Sequence, residues 1–152
     1  MENETSAPEK SAATRILAID FGSRRIGLAV TDKLGLTAQG LPTLHRTNKR
    51  SDFDHLRRTL KNYAVGEIVV GLPLRMSGAT GTQSDKVEEF AEALRARFKL
   101  PVHLFDERLT SVEANRVLDA TEMSGRRRKE VVDQLAAVLI LQAFLEYRRQ
   151  RD

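Results

Sequence analysis

"RILAIDFGSRRIGLAVTD", residues 15–32, sets two apolar, β-branched runs on either side of a polar, glycine-containing segment. Ile16–Ile19 and Ile26–Val30 therefore read as the strands of an antiparallel hairpin whose turn contains Gly22. The first strand ends on Asp20, a carboxylate between the apolar run and the glycine. Taken alone, such an aspartate is a turn-former that bonds its own backbone. In α/β sheets, however, ligands gather at the carboxyl ends of strands, and an acid placed there becomes a candidate site residue.

The rest of the chain supplies the α/β pattern. "TAQGLPTLH", residues 37–45, offers a third strand, weakened by Gly40 and Pro42. Phe53, Leu56, Leu60, Tyr63 and Ala64 recur at helical spacing, with Ser51 as the expected N-cap. "EIVVGLP", residues 67–73, has the continuous apolar run of a central strand buried on both faces. A loop over Leu74–Ser84, with Gly78 and Gly81, leads to a second helix marked by Val87, Phe90, Ala91, Leu94 and Phe98. Val102–Phe105 is a short strand that again ends on acids, Asp106 and Glu107. Thr110 and Glu113 form a capping box for a third helix carrying Ala114, Val117 and Leu118. A last helix is expected after the basic run Arg126–Lys129, reaching about Tyr147. This succession predicts a three-layer α/β domain over residues 15–150, with a mixed sheet flanked by helices. Residues 1–14, rich in Glu, Ser and Ala, read as a disordered leader.

Composition narrows the function. A chain of 152 residues suits one domain. The absence of cysteine removes disulfides, thiolate nucleophiles and zinc–cysteine sites, and fits a reducing cytoplasm. The apolar run at residues 135–145 is far shorter than the roughly 20 residues that span a bilayer, so no membrane partner is expected. Net charge is only +4, but the basic groups come in clusters: Arg126–Lys129, then Arg46, Lys49, Arg50, Arg57 and Arg58, and a C-terminal "RRQR". Such clusters are ordinarily solvated surface, and they also suit a polyanion. With 5% aromatics there is no interleaving for base stacking, so recognition by shape and backbone is expected.

The acids indicate a chemistry. Asp133 heads the line Ala136, Ala137, Ile140 and Phe144, which turns it toward the sheet. The reading places it in the first turns of its helix, where the macrodipole favours an anion. A carboxylate so placed needs a partner, for which Arg127 or Lys129 would serve in a purely structural role. Asp20, Asp106, Glu107 and Asp133, with His45, His55 and His103 scattered elsewhere, make an oxygen-only set suited to Mg²⁺ or Mn²⁺. Two such ions about 3.5–4 Å apart can activate water and stabilise the leaving oxygen of a phosphodiester. Asp20, Glu107 and Asp133 are the expected catalytic acids, with Asp106 as a further ligand. Gly22 permits close backbone approach, and Arg24, Arg25, Arg108, Arg127 and Lys129 are candidates to grip substrate phosphates.

Four ordered segments, "ILAIDFGSRRIGLAVTD", "EIVVGLPLRMSG", "LFDERLTSVEA" and "RRRKEVVDQLAAVLILQAFLEY", together resemble the YqgF family, described as pre-16S rRNA nucleases and earlier as Holliday-junction resolvases. The resemblance covers about residues 15–148. It implies an RNase H-like fold, a cytoplasmic location and trimming of the 5′ end of the small-subunit rRNA precursor, with ribosomal particles as partners. By position, Asp20 matches the family's first-strand acid, Glu107 the acid of the "DER" motif with Asp106 beside it, and Asp133 the acid of the last helix. One departure is Ser77 before Gly78, where the family often carries an acid or amide. Other readings stay open: a resolvase of branched DNA, which would act as a symmetric dimer rather than a monomer, and a non-catalytic RNA-binding assembly factor. The hairpin also resembles that of actin-like ATPases, but those need a second lobe for which this chain has no room.

Overall fold

The computed structural model describes residues 15–72, 82–106 and 125–151. Its strands are β1 (Arg15–Phe21), β2 (Arg25–Thr31), β3 (Ala38–His45), β4 (Val65–Leu72) and β5 (Val102–Asp106), and its helices α1 (Lys49–Asn62), α2 (Thr82–Phe98) and α3 (Gly125–Arg151). The strands form one sheet in the order β3-β2-β1-β4-β5. β1, β2 and β3 pair antiparallel, while β4 runs parallel to β1 and β5 parallel to β4. The opening hairpin and the mixed sheet are thus as the sequence predicts. The third strand forms despite Pro42 because it lies at the sheet edge, where its pairing with β2 slips between Ile26 and Leu28. A proline is tolerated at such an irregularity because no regular ladder bond is lost.

Strand alternation sorts the core into two layers. Leu17, Ile19, Ile26, Leu28, Val30, Ile68 and Val70 face α1 and α2. Ala18, Ala29 and Val69 face α3, against Ala137, Ile140, Leu141 and Phe144. β4 is interior, and Ile68, Val69 and Val70 are all fully buried, as their unbroken apolar run requires. The α3 face of β1 and β2 is built from small residues, and this lets the helix lie close. A Cβ added to Gly27 would stand 2.1 Å from the Asp133 carbonyl oxygen, and one on Gly40 2.6 Å from Cγ of Gln134. The far end of α3 is tied to the sheet by Arg148, which donates to both oxygens of Glu67 on β4 at 3.0 and 2.5 Å. His103 on β5 meets the same carboxylate at 2.6 Å.

Three boundaries differ from the sequence reading. The N-cap of α1 is Asn48, whose side chain accepts from the Ser51 backbone N–H at 2.9 Å. Ser51 is therefore the donor within the first turn, because capping reaches forward from the residue before the helix. α2 begins at Thr82, so the end of the Leu74–Ser84 segment is helical. α3 begins at Gly125 and takes the basic run into its first turns. Arginine and lysine are good helix formers, so a charged run need not delay a helix. Asp133 then lies more than two turns in, beyond the reach of the macrodipole. The 1–14 leader, the loop residues Ser77, Gly78 and Gly81, and the helix expected from Thr110 with Glu113, Ala114, Val117 and Leu118 lie outside the described residues. No helix among the described residues is long and apolar enough to cross a membrane.

Candidate active site

The β1–β2 turn is the platform. Gly22 donates its backbone N–H to the Arg25 carbonyl at 3.0 Å, and a Cβ there would stand 2.6 Å from that oxygen. Only glycine fits so tight a closure. Arg46, just past β3, staples the turn from outside. Its Nη1 donates to the carbonyls of Gly22 at 2.9 Å and Ser23 at 3.4 Å, and its backbone N–H to that of Arg24 at 2.9 Å. The guanidinium lies over the Phe21 ring at 4.6 Å and pairs with Asp52, which also accepts from the Thr47 N–H at 3.1 Å. Asp52 is only 5% exposed, so this anion is buried with its partners in place. The sequence assigned Arg46 only to a basic cluster, and its role in the turn depends on a contact between separate elements.

Asp20 shares the α3 face with Ala18 by alternation, and its partner across the β1–β2 ladder is Gly27. The backbone of Asp133 rests on that same Gly27. Asp20 and the Asp133 backbone thus border the same glycine, one from a strand end and the other from the middle of a helix. Asp133 is 17% exposed, and its carboxylate accepts from Nε of Arg25 on the same face. The partner required for this half-buried anion is therefore Arg25, and not Arg127 or Lys129. The helix is held in register by Gln134, which donates to the Leu41 carbonyl at 2.9 Å, and by Thr43, which donates to that of Glu130 at 3.3 Å.

Asp106 ends β5 and is exposed. Alternation puts it with Val102 and Leu104, which face α1 and α2, on the side of the sheet opposite to Asp20. Glu107 and Arg108 lie outside the described residues. Among the described residues no group of three or more His, Asp or Glu side chains could hold a metal ion. Asp20 and Asp133 supply oxygen donors of the kind that hard divalent cations prefer.

A polar cleft opens over the turn, lined by Arg24, Arg25, Arg46, Lys49 and Lys129 together with Asp52 and Glu130; Asp20 and Asp133 do not line it, but Arg25, the partner of Asp133, does. The fold thus gathers cations from the turn, the start of α1 and the start of α3. Arg127 is exposed but does not line this cleft. Arg57 pairs with Asp54 at 3.0 Å, and Arg58 lines a separate groove. The basic clusters of the sequence are therefore sorted, some onto the cleft and some away from it.

The family model described as "RuvX: Holliday junction resolvase" matches residues 14–147. The chain belongs to the RuvX (YqgF) family. The chain is 63% identical over 134 residues to a relative from Koribacter versatilis named "Putative pre-16S rRNA nuclease", covering 88% of each chain. A relative of the same name from Moorella thermoacetica is 49% identical over 132 residues, 87% of this chain and 94% of its own. Among solved structures, the RuvX fold matches T. thermophilus RuvC in complex with a Holliday junction, at TM-score 0.52 and 16% identity over 90% of this chain and 96% of that one. Fowlpox virus resolvase with its junction DNA matches at TM-score 0.52 and 12% identity, over 88% and 98%. At such identities the likeness is one of fold, and the fold of this RuvX family member is RNase H-like.

Proposed function

We propose that this chain is a metal-dependent endonuclease that hydrolyses phosphodiester bonds in structured RNA, processing the 5′ end of pre-16S rRNA in the cytoplasm. The observation that carries the reading is that Asp20 and the Asp133 backbone border the same Gly27, and that Arg25, the partner of Asp133, lines a cleft holding five cations beside Asp52 and Glu130. The names of the relatives, at up to 63% identity, favour RNA over DNA.

In this reading Asp20, Asp133 and Glu107 hold Mg²⁺ or Mn²⁺. Asp106 lies on the face of the sheet opposite to Asp20, so Glu107, the acid of the "DER" motif, is taken as the third acid. A metal held there would supply a nucleophilic water and charge stabilisation for the leaving oxygen. Arg24, Arg25 and Lys129 bind substrate phosphates in the cleft, Arg127 contacts a longer substrate beyond it, and Arg108 is a further phosphate contact. Arg25 also pairs with the Asp133 carboxylate and orients it on the sheet face. Ribosomal particles are the setting, and the chain acts as a monomer or homodimer.

A second reading, cleavage of four-way DNA junctions, is favoured by the family description and by the shared fold with RuvC. End-labelled RNA spanning the precursor's 5′ boundary, run beside a labelled DNA junction with Mg²⁺, Mn²⁺ or chelator, separates the two. The expected result is metal-dependent RNA cutting that Asp133→Asn lowers by more than about a hundredfold, the most that loss of a supporting group costs. Junction cutting alone would move the protein to DNA, and cutting by Asp133→Asn at the wild-type rate would overturn the site.

A further inference from the structure

Over the β1–β2 turn from the two acids, between that hairpin, α1 and α2, lies a second cavity of about 340 Å³. Its apolar wall is Phe21, Ile26, Phe53, Phe90 and Ala93. Lys49, Lys86 and Glu89, all exposed, stand at its rim. The cavity runs into the basic cleft, because Ser23, Arg46, Lys49 and Asp52 line both. Phe21, Phe53 and Phe90 are far apart in sequence, which is why a scan for interleaved aromatics passes over them. In space Phe21 stacks on Phe90 at 4.1 Å and Phe53 tilts against Phe90 at 5.8 Å.

We infer that this cavity receives one unpaired base of the nucleic-acid strand whose phosphates lie in the adjoining cleft. This inference rests on the nucleic-acid reading above and adds a base-accepting subsite to it. Size agrees: small-molecule pockets begin near 300 Å³ and are mostly apolar with a few polar groups at the edge. Charge agrees as well. Arg46 is committed to the turn and to Asp52, so Lys49 and Lys86 are the rim cations that would meet the phosphates flanking the base. Glu89 offers an acceptor for an exocyclic amine. The faces of Phe21 are taken by Phe90 and by the Arg46 guanidinium. The base is therefore held by apolar enclosure against ring edges rather than by stacking on Phe21. A duplex cannot offer such a base without unpairing, so the subsite selects substrates with a single-stranded nucleotide near the cut.

The test reads binding, not cleavage, and is run in chelator. Fluorescence anisotropy measures the affinity of a labelled oligoadenylate twelve-mer and of the same backbone with abasic positions, for wild type, Ala93→Phe, which fills the cavity, and Lys86→Glu. In parallel, an RNA carrying 5-iodouridine is photo-cross-linked to the wild-type protein, and the attached peptide is mapped. The expected result is a cross-link at Phe21, Phe53 or Phe90, and a loss of about tenfold for the base-bearing strand in Ala93→Phe, with the abasic strand unchanged. Equal weakening of both strands by Ala93→Phe, or cross-links only elsewhere, would overturn the subsite; Lys86→Glu, a phosphate contact, should weaken both strands alike. If Ala93→Phe does not fold, the cross-link position and a larger loss for the base-bearing strand in the smaller Ala93→Leu decide. RNA cutting with no base-dependent binding would overturn the subsite alone, whereas no binding of either strand would overturn the nucleic-acid reading with it.

Discussion

Replacing Gly27 with alanine probes the contact on which the candidate site is built. The added methyl group would stand 2.1 Å from the Asp133 carbonyl oxygen, 2.7 Å from its carbon and 3.4 Å from its Cα. All three atoms are backbone, so no rotamer change can relieve the clash, and α3 must retreat from the sheet. Restoring an ordinary contact of 3.4 Å or more takes a shift of roughly 1.3 Å. Overpacking of this kind costs about 1–3 kcal/mol. Exchanging glycine for alanine within a strand returns about 0.5–1 kcal/mol, which leaves a net loss of up to about 2.5 kcal/mol. Activity should suffer more than stability, because a misplacement near 1 Å at reacting groups can cost about a hundredfold in rate. Urea unfolding gives the first quantity and RNA cleavage under saturating metal the second. Gly125→Ala, where the new Cβ meets nothing within 4 Å, serves as the control and should lower neither. Wild-type stability and rate for Gly27→Ala would refute the reasoning, since the Asp133 backbone could not then be resting on that position.

Two further substitutions test the framework. Asn48→Ala should destabilise the protein by about 1 kcal/mol in urea, while Ser51→Ala should be nearly silent, because only the Asn48 side chain caps α1. The hydrogen bonds from Arg148, helped by His103, hold the Glu67 carboxyl below its ordinary value of 4.5. A lowered folded-state pKa means that this stabilisation is present above the unfolded value and is lost as pH falls through the folded one. Glu67→Gln should therefore flatten the decline in melting temperature between neutral and strongly acidic pH. With Arg148 39% exposed, the loss at pH 7 should be about 1 kcal/mol.

The architecture was legible because it follows from short-range pattern. The β-branched runs of the hairpin, the unbroken "IVV" of β4 and the apolar stripe of α3 each specify their element and buried face through a period of two or 3.6 residues. The same stripe turns Asp133 toward the sheet, and the position of Asp20 at a strand end marks it as a candidate. Boundaries were less legible, since Asn48 and Ser51 both cap well and a basic run both begins and interrupts helices.

What the sequence by itself determined is which acids exist and that Asp133 turns toward the sheet, because the helical period acts within a single element. Only the tertiary structure decided their company. That Asp133 meets Arg25 follows from α3 lying close over Gly27. That Asp106 turns from Asp20 follows from the register of β5 against β4. Arg46 locks the turn, and Phe21, Phe53 and Phe90 wall a cavity, only once β3, α1 and α2 have packed. The physical reason is common to all four. A contact between residues distant in the chain depends on how whole elements seat against one another, and local periodicity carries no information about that seating.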